Sequence, residues 1–198
     1  FRKKYRNDIR PVEDVVVTAL DQAKLEDYTL RRRMNRPNLT AIPNDQIYEL
    51  IGVTRNNQVT LAATMLFSPY PQAYFPQLGI IATCVPGTEM GVLNEYGQRF
   101  TDSKRIEGTI PEMLEGAIAF VRNNMRVATK IDSVTGKRID TPQYPMDAVR
   151  EAILNALIHR DYSIHTQGMP IQIIMYTDRI EIINHGGLYG RLRVDQLG

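Results

Sequence analysis

Arg150-Glu151-Ala152-Ile153-Leu154-Asn155-Ala156-Leu157-Ile158-His159-Arg160-Asp161-Tyr162, followed by the alternating stretch from Pro170 to Gly187, is the part of the chain whose reading decides the fold. The apolar spacing of its first half predicts a helix from Pro145 to Tyr162, with a proline where helices tolerate one, at the start. Glu151 and Asn155 fall one turn apart on this helix, and His159 continues roughly along their stripe. On so apolar a helix the pair is expected to be buried, and an unpartnered buried polar group costs about 1–3 kcal/mol. Its partner is therefore either internal protein or a bound polar ligand. Internally, Glu151 has Arg150, Arg160 and Arg179 to choose from, and Asn155 can stitch the helix to a sheet. Externally, an Asn carbonyl is a good oxygen ligand for Mg²⁺, and a nearby carboxylate can orient or deprotonate a water.

The second half of the segment supplies the rest of a pocket. Ile171, Ile173 and Met175, then Ile180 and Ile182, alternate as two strands around Thr177-Asp178. They run into Asn184-His185-Gly186-Gly187, where glycines let the backbone approach a ligand closely. Helix pair, hairpin and glycine loop together have the makings of a nucleotide pocket without a P-loop. His159-Arg160-Asp161 closes the helix: His and Arg suit the negative end of its dipole, and Asp161 has Arg160 or Arg179 within reach.

Toward the N-terminus, the spacing predicts an amphipathic helix over Pro111 to Arg126, with Met113, Leu114, Ala117, Ile118, Phe120 and Val121 on its inner side. Thr129 to Ile139 reads as a hairpin with Thr135-Gly136-Lys137 at its tip. Leu78 to Val85 reads as a buried strand, and residues 87–108 as loop or edge strand. The run from Gln58 to Phe67 fits strand or short helix equally. A short helix is expected after Pro43, from Gln46 to Ile51, closed by Gly52. Residues 12–34 carry helical spacing from Val12 to Leu30 and end on Arg31-Arg32-Arg33, and residues 1–10 read as a basic linker.

Composition is that of an ordinary globular protein: 198 residues, 43% hydrophobic, 23% charged, net charge +2. That balance gives no argument for nucleic acid in the chain as a whole. The single cysteine, Cys84, excludes an intrachain disulfide and reads as a small core hydrophobe. No stretch is long and apolar enough to span a membrane and no signal peptide is visible, so the expected location is cytoplasmic. A chain opening on Phe1 is expected to be a piece of something longer.

Several motifs dissolve on inspection. His159-Arg160-Asp161 spells a kinase triplet, but Thr166 stands where a kinase needs Asn. Thr135-Gly136-Lys137 lacks the upstream glycine and the following Ser or Thr of a P-loop, so a helicase motor is not supported. Three histidines and one cysteine at these spacings make no zinc site. The basic clusters, Arg2-Lys3-Lys4 with Arg6 and Arg31-Arg32-Arg33 with Arg36, read as a linker and a helix end, with phosphate contact as the alternative.

The pattern Arg150-Glu151-Ala152-x-x-Asn155-Ala156-x-x-His159-Arg160-Asp161-Tyr162, with Asp178-Arg179-Ile180-Glu181-Ile182-Ile183-Asn184 and Gly186-Gly187-Leu188, resembles the ATPase-like region of a family of bacterial transcriptional regulators. These are often labelled RecG-related ATP-dependent DNA helicases, and their domain is similar to the GHKL ATPases such as gyrase B, histidine kinases and MutL. Members typically carry an N-terminal Schlafen/Alba-like nucleic-acid module and a C-terminal winged helix. The resemblance is strong over residues 144–198, extends more weakly back to Phe67 and Phe75-Pro76-Gln77 and to Phe100–Phe120, and adds little over residues 1–55.

It implies an α/β (α+β) protein: a mixed α/β connecting domain over residues 1–110, then helices packed on a mostly antiparallel sheet over 111–198, a partial GHKL-like fold cut before any ATP lid. It implies Mg²⁺ and ATP as cofactors, with Glu151 as general base, Asn155 as metal ligand, and Asn184, Gly186 and Gly187 lining the base or phosphates. The chain departs from the GHKL pattern at Asn184, where the adenine-reading residue is Asp, in the glycine spacing, and at His185, where this family usually has Pro. The function implied is nucleotide sensing coupled to DNA through modules outside this chain, in a possible homodimer, with at most weak ATPase activity in the full-length protein. The alternative is a structural or dimerisation domain that binds no nucleotide.

Overall fold

A computed structural model describes residues 7–131, 136 and 138–185. The protein is α+β, and its contacts divide it into two compact units. The first comprises Phe1–Leu78, Gly108–Pro111 and Asp161–Gly168, and the second Gly79–Glu107, Glu112–Arg160 and Met169–Gly198.

The first unit contains helix α1 (Gln22–Asn35), helix α2 (Asn44–Leu50), strands β1 (Thr54–Arg55) and β2 (Gln58–Val59), and helix α3 (Leu61–Phe67). The helix expected from residue 12 starts only at Gln22. Asp21 is extended and caps it, accepting from the Lys24 backbone N–H at 3.1 Å. Before that point the chain is held elsewhere: the Val12 N–H donates to the Val59 carbonyl at 2.8 Å, and Pro11 bridges Thr60. Val15 and Leu20 still reach the core, which is why their spacing imitated a helix.

The ambiguous run from Gln58 to Phe67 is strand and helix in turn. Thr60 makes the switch: its hydroxyl accepts from the Ala63 N–H at 3.2 Å as N-cap of α3 and donates to the Gly52 carbonyl at 2.7 Å. Gly52 ends α2 with φ +78°, a conformation that disfavours a side chain. The core of this unit gathers Val15, Leu20, Leu25, Val53, Val59, Ala63 and Phe67, with the Tyr28 ring 5.4 Å from that of Phe67.

The second unit is built on a four-stranded sheet, in the order β4 (Asp102–Ile106), β3 (Ile80–Cys84), β7 (Ile171–Met175), β8 (Ile180–Ile183). The outer pairings are antiparallel, as the hairpin reading requires, whereas β3 and β7 run parallel, with Ile80 opposite Ile171 and Cys84 opposite Met175. A parallel pair needs a long crossover. Here it runs through β4, helix α4 (Ile110–Asn124), the hairpin β5 (Val127–Ile131) with β6 (Arg138–Pro142), and helix α5 (Met146–His159). The middle strand β7 has buried apolar side chains on both faces, Ile171, Ile173 and Met175 on one and Ile174 on the other, whereas β3 buries Ile80 and Ala82 on one face.

Helix α4 buries the six residues its spacing marked, Met113 to Val121. It comes so close to β4 that a Cβ on Gly116 would lie 2.8 Å from the Ile106 side chain. The tip of the β5–β6 hairpin, apart from Gly136, lies outside the described residues. No helix among the described residues is long and apolar enough to cross a membrane.

Candidate functional site

Helix α5 places the Glu151–Asn155 pair. Pro145 stands at its N-cap, the Val149 N–H donates to the Pro145 carbonyl at 3.1 Å, and Asp147 occupies the positive end of the dipole. Val149, Ile153, Ala156 and Leu157 are buried, a spacing that puts one face inward, and the helix lies against β8. Glu151 and Asn155 stand on the opposite face, and both are exposed. This corrects the expectation that an apolar helix buries them. The apolar residues form one stripe, and Ala148, Ala152 and Ile158 are left on the outer face with the polar pair, Ile158 at 55% exposure.

The pair is its own partner. Asn155 Nδ2 donates to Glu151 Oε1 at 3.1 Å. The arginines considered for Glu151 are engaged elsewhere: Arg150 pairs with Glu115 at 2.9 Å, and Arg179 pairs with Glu181 at 2.7 Å and Asp178 at 3.1 Å. Arg160 is buried and donates to the Met169 carbonyl. The Asn155 amide commits one of its two N–H donors to the carboxylate, and it also carries a carbonyl oxygen. That is the atom a hard cation takes.

The triplet at the end of α5 performs structural work. His159 is exposed in the last turn. Asp161 pairs with neither Arg160 nor Arg179. Its carboxylate accepts from the Ser163 N–H at 2.9 Å and the Ser163 hydroxyl at 2.8 Å, an Asx turn that leads the chain off the helix three residues before the expected Tyr162.

Strand β8 leads directly to Asn184. Its Oδ1 is buried and has no hydrogen-bond partner among the described residues. His185 follows, half-buried, and Gly186 and Gly187 lie outside the described residues.

Arg179 is the residue whose importance the sequence analysis passed over. It stacks over the Tyr176 ring at 3.9 Å and donates to the Thr88 carbonyl at 2.8 Å. Its hydrogen bond to Glu181 holds its pKa above the ordinary arginine value. Together these contacts lock the β7–β8 turn that aims β8 at Asn184. Arg179 lies just before β8 and reaches Glu181 within it.

The donor set fits Mg²⁺ bound through few protein atoms, because that ion usually keeps waters and takes its remaining ligands from phosphate. Among the described residues no group of three or more His, Cys, Asp or Glu side chains gathers to hold a metal without such help.

The basic clusters resolve differently. Arg31 pairs with Asp27 at 2.6 Å, Arg32 donates to the Tyr28 hydroxyl at 2.7 Å, and Arg33 donates to the Ile42 carbonyl at 2.8 Å and to Asn44 at 2.9 Å. These are the contacts of a helix end. Residues 2–6 lie outside the described residues.

Comparison with known proteins gives a partial match. A family model described as "Putative ATP-dependent DNA helicase recG C-terminal" matches residues 168–198, which hold β7, β8 and Asn184 but not helix α5. No match was found among curated proteins. Among solved structures, the chain is similar to the DIP2311 protein from Corynebacterium diphtheriae, with a TM-score of 0.57 and 18% sequence identity over 92% of this chain and 34% of that one. The likeness is one of fold, and this chain spans about a third of that protein's length. The ATPase-like match therefore covers β7, β8 and the residues after them, including Asn184.

Proposed function

We propose that the second unit is a nucleotide-binding domain that takes Mg-ATP at the outer face of α5 and the segment following β8. The observation that carries this reading is the buried Oδ1 of Asn184, without a partner among the described residues, just after the strand β8 that packs on the helix bearing the outward Glu151–Asn155 pair. The Asn184 amide can accept from the exocyclic amine of adenine and donate to a ring nitrogen. Gly186 and Gly187 would let backbone N–H groups approach the base or phosphates. Asn155 would offer its carbonyl oxygen to Mg²⁺, which supplies charge neutralisation on the phosphate oxygens. Glu151, already orienting the Asn155 amide, would hold or deprotonate a water as general base.

In this reading occupancy is passed to DNA-binding modules outside this chain, in a homodimeric cytoplasmic transcriptional regulator with at most weak ATPase activity. A second reading, a structural or dimerisation domain without nucleotide, draws on one observation: Glu151 and Asn155 already satisfy each other.

Thermal unfolding with and without Mg-ATP, in wild type and in Glu151→Ala and Asn155→Ala, separates the two. Both substituted residues are exposed on a helix, so each variant alone should stay within about 0.5 kcal/mol of wild type. Ligand at ~100 times Kd should stabilise wild type by about 2.7 kcal/mol. A shift that disappears in Asn155→Ala supports the pocket and the metal role. No shift in wild type rejects nucleotide binding, and an undiminished shift in Asn155→Ala rejects that residue as metal ligand.

A further inference from the structure

The first unit contains a cavity of about 440 Å³ lined by Phe75, Pro76, Gln77, Ile164, Gln167 and Gly168. That size falls in the range of small-molecule sites. Its apolar part is Phe75 with Pro76 and Ile164, the last 71% exposed. Its polar part is the amides of Gln77 and Gln167.

Arg10 contacts two residues of this lining. Its Nη2 donates to Gln167 Oε1, and its guanidinium carbon lies 5.6 Å from the centroid of the Phe75 ring. The first contact fixes the Gln167 amide. With its oxygen held by a cation, the group presents its NH₂ as a donor, and no described residue accepts from it. The second contact gives Arg10 an aromatic face but no negative ion. Among the described residues its buried Nε has no partner and no carboxylate forms an ion pair with it. Burial lowers its pKa below the ordinary arginine value, as expected of a cation lacking a counter-ion. A half-apolar cavity with one polarised donor and an uncompensated positive field is complementary to an anion carrying a flat apolar body.

We infer that this cavity binds a small organic acid, its carboxylate received by the Gln167 amide in the field of Arg10 and its apolar body held by Phe75, Pro76 and Ile164. The site belongs to the first unit and does not depend on nucleotide binding by the second.

The test is calorimetric titration of the full-length protein with phenylacetate and with its neutral isostere phenylacetamide. Phenylacetate should bind saturably and at least about tenfold more tightly than the amide, because a charged acceptor strengthens the hydrogen bond. Gln167→Glu should abolish this binding. It removes the donor and adds repulsion, yet keeps a partner for Arg10 as an ion pair, so the variant should melt no lower than wild type. Ile164→Ser, at an exposed position, should weaken both compounds. Equal affinity for acid and amide, no phenylacetate binding by the native protein, or unchanged affinity in Gln167→Glu would each overturn the assignment.

Discussion

Gln72 illustrates how one side chain can hold separate stretches of chain together. It is buried, donates to the Leu78 carbonyl at 3.0 Å and the Gly108 carbonyl at 2.9 Å, and accepts from the Gly108 N–H at 2.8 Å. It thereby attaches the short Gly108–Pro111 segment to the unit formed by the first part of the chain. Gln72→Ala strands backbone groups at both ends and should cost about 2–3 kcal/mol, read as a lower urea midpoint with unchanged slope. Glu151 and Asn155 are the opposite case. Their mutual hydrogen bond is exposed, so they contribute little to stability and are free to serve a ligand. Residue identity announced the chemistry of this pair but not its exposure, because exposure depends on which stripe of α5 the sheet covers. Nothing in the sequence marked Arg10 as more than part of a basic stub, since its partners Phe75 and Gln167 are brought to it only by folding.

Elements are joined here by local polar devices as much as by apolar faces. Between β1 and β2 the turn consists of Asn56 and Asn57, both with positive φ, 52° and 61°, the left-handed pair that a two-residue hairpin favours. Glu49, from the end of α2, closes this turn: its carboxylate accepts from the Asn56 N–H at 2.7 Å and the Thr54 hydroxyl at 2.9 Å. The backbone hydrogen bond from Asn56 is the main reason its pKa lies below the ordinary glutamate value. A depressed carboxylate stabilises the fold above its unfolded-state pKa and loses that contribution as pH falls through the folded-state value. Glu49→Gln should therefore melt below wild type at neutral pH, and the two melting curves should converge in acid. Parallel curves at all pH values would show that the charge of Glu49 does not matter. Helix α4, the β7–β8 hairpin and α2 were legible because their apolar period or their turn residues act within one element. Helix α1 was misplaced by ten residues at its start because Val12 pairs with Val59, a contact that no local pattern encodes.

For the whole molecule, the two proposals fall on different units and can be read in one experiment. In hydrogen exchange, Mg-ATP should slow α5 and β8 and leave residues 75–77 and 164–168 unchanged, whereas phenylacetate should do the reverse. Protection of both regions by either ligand would mean that the two sites are coupled and that neither can be treated as independent. The division into units explains the complementarity. The segment from Asp161 to Gly168 leaves α5, contributes Ile164 and Gln167 to the first unit, and the chain then re-enters the second at β7.

By itself the sequence determined the α+β class, the inner face of α4, and the existence of α5 and the β7–β8 pair. All of these depend on spacing within about one element, where period and turn chemistry operate. Only the tertiary structure decided that Glu151 and Asn155 face outward as a hydrogen-bonded pair, that the Asn184 oxygen is buried with no partner among the described residues, and that β3 runs parallel to β7. It alone also assembled Arg10, Phe75 and Gln167 around one cavity. Burial and partnership are properties of surfaces brought together from distant parts of the chain, and a one-dimensional pattern carries no record of which distant segment will cover it.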